Sequence, residues 1–172
     1  MATFRAYRDV TTGSAEVPVH PPGDEWTFDD LYRSQYARMV ALARLMTGAF
    51  TLAEEIVQDA FVQLYRNWPS VEHPLAYVRI AVVNGCRLQG RRRALERRHQ
   101  SSAHEPAVLD TVAIAVRDAL QVLTPRQRAA IVLRYFEDLP EREIAAALGC
   151  QPGTVKSLLS RSITKLKGSL HD

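Results

Sequence analysis

Helical periodicity, repeated along the chain and broken at prolines and glycines, restricts the fold more than any other feature. Ala53, Ile56, Val57, Ala60, Phe61, Leu64 and Trp68 fall on one side of a helix predicted from Leu52 to Trp68. Glu55, Gln58, Asp59, Val62 and Arg66 fall on the other side, and Pro69 closes the helix. Upstream, Phe28, Leu31, Tyr32, Gln35, Tyr36, Met39, Val40, Ala43 and Met46 form another stripe, with Gly48 placed to end it. Pro74 sits where a first helical turn accepts proline, and the helix it opens runs to about Leu95. That helix is apolar almost all round before it turns strongly basic, the pattern of a helix buried between others. No stretch alternates with period two, so the chain is expected to be all-α.

A second helical module follows a polar stretch. Residues 1–25 carry Gly13, Pro18, Pro21, Pro22 and Gly23 without periodicity and are expected to be a disordered arm. The first module then spans 26–98, a linker 99–106, and the second module 107–172. In the second, Val108, Val112, Ala115, Ala119 and Leu123 form a stripe. Thr124-Pro125-Arg126-Gln127 has the pattern of an N-cap, a proline at the first helical position and a capping-box glutamine. A short helix is predicted over Glu141–Leu148, and a last one from about Pro152 to Leu170.

Composition narrows the class. The chain has 172 residues, 47% hydrophobic and 24% charged, which suits one domain or two small ones. Its two cysteines, Cys86 and Cys150, are too few for a disulfide framework or a zinc site of their own, and both are expected to be small core residues. The five histidines lack metal-ligand spacing, and no phosphate-binding loop, nucleophile elbow or zinc-hydrolase motif is present. No cofactor and no catalytic residue is expected. No apolar run approaches the roughly 18 residues needed to cross a bilayer, and the first residues lack the apolar core of a signal peptide. A cytoplasmic protein without membrane insertion is the expectation.

Net charge is only +3, but the positive charge is clustered. Six arginines (87, 91, 92, 93, 97 and 98) stand against one acid, Glu96, in the segment 87–98. Lys156, Arg161, Lys165 and Lys167 form a second block with no acid among them. Two separate basic blocks suit a polyanion gripped at two places. A pair of solvated helix faces would leave the same pattern.

The second block lies in a helix-turn-helix pattern. Glu143-Ile-Ala-Ala-Ala-Leu-Gly149 is followed by a short turn and then Gly153-Thr-Val-Lys-Ser157. Small Ala145 and Ala146 let two helices approach closely, and Gly149 permits the turn. On the last helix Val155, Leu159, Ser162 and Leu166 point inward. Thr154, Ser157, Ser160, Arg161 and Thr164 point outward, flanked by Lys156 and Lys165. Such a face suits phosphates and base edges in a major groove.

With these motifs in view, the segment from about Phe28 to Leu166 resembles the extracytoplasmic function (ECF) class of bacterial sigma factors, the smallest of the sigma-70 family. In the first module the resemblance rests on Ala53-Glu-Glu-Ile-Val-Gln-Asp-Ala-Phe61, Tyr65-Arg-Asn-Trp68, and Ala76-Tyr-Val-Arg79 through Asn84 to Arg91-Arg-Arg93. In the second it rests on Leu123-Thr-Pro-Arg-Gln-Arg128, Leu133-Arg-Tyr-Phe-Glu-Asp-Leu139, Glu143-Ile-Ala145 and Gly153-Thr-Val-Lys-Ser157. Each piece is weak alone; their order across two modules is specific. The variants Tyr-Arg-Asn-Trp and Ala-Tyr-Val-Arg resemble an actinobacterial subgroup.

The resemblance implies roles. The first module, region two, would dock on core RNA polymerase and melt the minus-ten element of promoter DNA. The second, region four, would read the minus-thirty-five element as duplex. Docking would fall on Glu55, Gln58, Asp59, Val62 and Arg66, with Val62 an apolar residue ringed by polar ones. Glu55 and its neighbour Glu54 serve equally as dipole partners of their own helix. Minus-ten contacts would fall on Ser70, His73, Arg79, Asn84, Arg87, Arg91 and Arg92. Asn84 is as good a structural hydrogen-bonder as a strand contact. Trp68 and Tyr77 fit the core better than a base. Minus-thirty-five contacts would fall on Thr154, Lys156, Ser157, Ser160, Arg161 and Lys165. An anti-sigma factor is a further partner the resemblance allows.

Two departures stand out. Leu158 occupies a position where the family often has a basic residue, which should change or weaken minus-thirty-five contacts. Pro140 and Gln151 stand where many relatives carry a serine or threonine cap, each costing about 1 kcal/mol. The main rival is a stand-alone helix-turn-helix regulator, which needs no polymerase-docking helix and usually dimerises. An RNA-binding protein would want an aromatic stacking platform beside the arginine block.

Overall fold

A computed structural model of the chain describes residues 27–96 and 111–169. The expected arm and linker, with Arg97, Arg98, Val108 and the last three residues, lie outside the described residues, as do the side chains of Arg93 and Val112. Seven α-helices follow one another in the described residues: α1 (Phe28–Thr47), α2 (Phe50–Asn67), α3 (Pro74–Glu96), α4 (Thr111–Gln121), α5 (Pro125–Tyr135), α6 (Glu141–Leu148) and α7 (Pro152–Ser169). A 3₁₀ turn, Trp68–Ser70, links α2 to α3. The described residues contain no strand, as the missing period-two alternation implies.

Helix ends follow local chemistry. At α5 the expected capping box is formed: Gln127 N–H donates to Thr124 Oγ1 at 3.3 Å, and Gln127 Oε1 accepts from Thr124 N–H at 3.1 Å. A second box opens α1, where Asp30 N–H donates to Thr27 Oγ1 and the Asp30 carboxylate accepts from Thr27 N–H, both at 3.2 Å. Gly48 (φ 77°) and Gly149 (φ 60°) end α1 and α6 in the left-handed region, which glycine enters without a Cβ penalty. Pro140 gives α6 no side-chain cap.

The first module is a three-helix unit. Met39 and Leu42 of α1, Val57, Phe61 and Leu64 of α2, and Val78, Val82 and Val83 of α3 are fully buried in it. The periodic stripe misplaced one member of α1. Tyr32 is exposed, whereas Tyr36 is half-buried against the core, and Leu42, outside the stripe, is buried. The aromatic rings lean across the surface on one another instead, with Tyr32 4.9 Å from Tyr36 and edge-on to Phe61 at 5.0 Å. Leu42 is covered because α1 is packed on more sides than a surface helix, with α2, α3 and the second module all touching it.

In the second module α5, α6 and α7 pack on one another, and α4 covers α7. The α4 stripe is corrected as well. Leu123 is buried as expected, but Ala115 is exposed and Ala119 half-buried, whereas Leu120, outside the stripe, is buried. Alanines carry little area to bury, so the two leucines set the rotation of the helix.

The two modules share one continuous apolar core. Arg128 of α5 lies at their junction. Its Nη1 donates to Met46 O at 2.7 Å, its Nε to Leu120 O at 2.9 Å, and its Nη2 to Leu123 O at 3.2 Å. One buried cation thus serves the carbonyl ends of α1 and α4, where the helix dipole is negative. Gly90 of α3 faces Pro125 so closely that a Cβ would stand 3.2 Å from the ring.

Candidate nucleic-acid interface

The helix-turn-helix is built on close backbone approach. Ala145, Ala146 and Ala147 of α6 are buried, and the chain reverses at Gly149 with Cys150 N–H donating to Ala145 O at 3.0 Å. Helix α7 then lays Val155, Leu159 and Ser162 inward. The buried Ser162 hydroxyl is satisfied by Leu158 O at 2.6 Å. Thr154, Lys156, Ser157, Ser160, Arg161 and Lys165, the residues expected to meet the minus-thirty-five element, are all exposed along α7. Leu158 is half-buried against the core, so a basic residue there would have to bend its charge outward past apolar neighbours.

On the first module Glu55, Gln58, Asp59, Val62 and Arg66 are exposed together on α2, and Val62 is 47% exposed. Gln58 Nε2 reaches Tyr36 Oη at 3.5 Å. Beside Val62 stands a residue that the motif match absorbed without notice. Tyr65 is 66% exposed, and its ring packs edge-on to Phe28 at 5.0 Å. Its spacing of three residues from Val62 was the available signal, since such pairs share a helix face.

Ser70 and His73 are exposed in the connection to α3, and Arg91 and Arg92 are exposed near its basic end. Asn84 is half-buried. Trp68 and Tyr77 are half-buried and packed against the core, Trp68 edge-on to Phe28 at 5.6 Å. Arg79 and Arg87 are placed differently from the other candidates, because both face the second module. Arg79 Nε is 2.9 Å from Glu137 Oε2, and Arg87 Nη1 donates to Leu148 O at 3.4 Å. Burial, followed by the nearby charges of Arg126 and Arg91, pushes the Arg87 guanidinium below its usual range. An arginine nonetheless keeps its proton.

Sequence periodicity missed Arg38, Arg128 and Glu137, which join the modules. Their partners lie far off in the chain, and no local pattern marks a contact of that kind. Among the described residues no group of three or more His, Cys, Asp or Glu could hold a metal ion, and no helix is long and apolar enough to cross a membrane.

A basic, polar helix presented by a helix-turn-helix, beside a helical module with its own exposed face, defines a DNA-binding protein with a second interaction surface. Residues 113–166 match the family model of sigma-70 region 4. The RNA polymerase sigma-E factor of Streptomyces coelicolor is 30% identical over 86% of this chain and 88% of its own length. The ECF RNA polymerase sigma factor SigM of Mycobacterium tuberculosis is 32% identical over 86% of this chain and 79% of its own. Among solved structures, the sigma factor RpoE of Bartonella quintana, crystallised with the anti-sigma factor NepR, superposes with a TM-score of 0.68. It is 27% identical, over 84% of this chain and 96% of that one. The chain belongs to the ECF class of RNA polymerase sigma factors. Its curated relatives in Streptomyces and Mycobacterium are actinobacterial, the subgroup its motif variants resemble.

Proposed function

We propose that this sigma factor binds core RNA polymerase through the outward face of α2 and directs it to a restricted set of promoters. Glu55, Gln58, Asp59, Val62 and Arg66 make that docking face, in a first module spanning residues 26–98. Ser70, His73, Asn84, Arg91 and Arg92 meet the minus-ten element, joined by Arg79 and Arg87 when the second module moves away. The second module, 107–172, reads the minus-thirty-five element through Thr154, Lys156, Ser157, Ser160, Arg161 and Lys165. The polymerase supplies the catalysis, and the cytoplasm is the site of action. An anti-sigma factor is a fitting partner, since the similar Bartonella protein was crystallised with one.

One observation carries this reading: the row of exposed hydroxyl and basic side chains on α7, held rigid from behind by Val155, Leu159 and Ser162. Rigid presentation in a groove is what base readout requires. The test mixes the full chain with core polymerase and a library of random promoters. Co-elution and transcription from a selected subset are expected. Tight palindrome binding by a dimer of the free chain, without co-elution, would transfer the chain to the stand-alone regulators.

A further inference from the structure

Glu137 is the most deeply buried acid in the described structure and sits where the two modules meet, its side chain 1% exposed. Both of its ion-pair partners come from the other module. Arg38 Nε on α1 is 2.8 Å from Oε1, and Arg79 Nε on α3 is 2.9 Å from Oε2. The carboxylate is aimed by its own turn. Glu137 N–H donates to Val132 O at 3.2 Å, Leu139 N–H donates to Leu133 O at 3.0 Å, and Asp138 between them takes a left-handed φ of 51°. Arg38 is fixed further by Phe136, donating to its carbonyl at 3.1 Å with its guanidinium 5.5 Å above the ring.

This arrangement suits a contact that must break. A buried ion pair returns in Coulomb energy about what it loses in desolvation, so it fixes geometry more than it stabilises. Across the same junction the charge of Arg126 on α5 acts against that of Arg87 on α3, which opposes closure. Closure also has a consequence for DNA. It occupies Arg79 with Glu137 and turns Arg87 toward Leu148, so two of the cations assigned to the minus-ten side are withdrawn.

We propose that Glu137 is an autoinhibitory latch: by engaging Arg38 and Arg79 it holds the second module over α3 and withholds Arg79 and Arg87 from nucleic acid until a partner opens the chain. The latch rests on the proposed function for the identity of that partner and for Arg79 and Arg87 as contacts to DNA.

The test uses the full chain and two variants, Glu137→Gln and Arg38→Ala, neither of which alters a proposed DNA or polymerase contact. Small-angle scattering reads closure, and binding of a fluorescein-labelled poly-dT strand at low salt reads the release of cations. Both variants should scatter as longer particles and bind the strand roughly threefold to tenfold more tightly, with a steeper salt dependence. Adding Arg79→Ala to Glu137→Gln should remove most of that gain. Unchanged scattering in both variants would overturn the latch. Opening without tighter strand binding would overturn the autoinhibitory role. Neither readout needs polymerase, so failure of the promoter reading would show separately, as absence of co-elution.

Discussion

Gly85 of α3 lies against Ile56 of α2 so closely that a Cβ at position 85 would stand 2.8 Å from Ile56 Cγ2. The two helices cross here because one of them has no side chain. Ile56 is buried and branched at Cβ, so it has little freedom to turn aside. Gly85→Val should therefore destabilise the chain by about 1–3 kcal/mol through overpacking, read as a lower urea midpoint. Ile56→Ala alone should also destabilise, by about 2–4 kcal/mol. The double variant should lose less than the two costs added together, since each change relieves the other. Full additivity would mean that the helices do not touch at this point.

Arg128 makes a second prediction, of opposite character. Its guanidinium serves carbonyls from α1, from α4 and from the turn after α4. Arg128→Met fills similar space but leaves those acceptors without it, at a cost of about 2–4 kcal/mol. Arg128→Lys should recover only part of this, because an ammonium cannot spread its donors over so many directions. The site is buried, so the loss should change little between low and high salt in denaturation experiments. A loss that vanishes in high salt would mark Arg128 as a surface charge.

Cys86 links the fold to pH. Burial pushes its thiol from the usual 9.0 up to about 12. A raised acid pKa means that the folded chain keeps a proton that the unfolded chain loses. The stability tied to this proton is fully present below pH 9 and is lost as pH rises from 9 toward 12. Cys86→Ala should flatten that part of the stability curve. A thiol reagent at pH 8 should label the half-exposed Cys150 first, and Cys86 only on unfolding. Equal labelling of both in the native chain would show that Cys86 is accessible.

Local order in this chain was legible wherever one residue decided it. Thr124 with Gln127, Gly48, Gly149 and Pro74 set helix ends that the sequence alone places correctly. The inward rows of α2 and α7 were equally plain, since Phe61, Leu64, Val155 and Leu159 leave no other face to bury. Tyr32, Leu42 and Ala115 were misplaced because helical periodicity assumes a single buried side. Helix α1 is covered from more directions, and α4 is turned by Leu120 and Leu123. The closure of one module on the other was not legible at all. Glu137 looks like any acid in a turn until Arg38 and Arg79, 99 and 58 positions away, are brought to it. Arg79 accordingly read as a DNA contact, while in the closed chain it faces an acid.

Val62 and its neighbours give a prediction for the polymerase surface. Val62 stands outward on α2, so Val62→Asp should leave helical content and unfolding midpoint nearly unchanged. A charge placed in the apolar centre of an interface loses its hydration without gaining a partner. The variant should weaken binding to core polymerase by roughly tenfold or more. Tyr65→Ala, on the same face, should weaken it as well, because exposed aromatics anchor interfaces. Unchanged co-elution of both variants would remove docking from this face of α2.

The last prediction separates the two basic blocks in the holoenzyme. Arg161 is exposed on α7, one turn beyond Ser157, where its guanidinium can reach a guanine edge or a phosphate. If it reads a base, Arg161→Ala should cost about 1–3 kcal/mol in promoter binding and relax preference at one minus-thirty-five position. Arg91 and Arg92 are exposed on α3, in the first module. Arg91→Ala and Arg92→Ala should leave minus-thirty-five preference intact. They should instead impair strand opening and reduce its tolerance of salt, because phosphate contacts release counterions. Binding and permanganate footprinting on promoters altered one base at a time would decide between these roles. If Arg161→Ala lowers affinity equally for every minus-thirty-five variant, Arg161 contacts only phosphate. If the Arg91 or Arg92 changes shift minus-thirty-five preference, the assignment of modules to promoter elements is wrong.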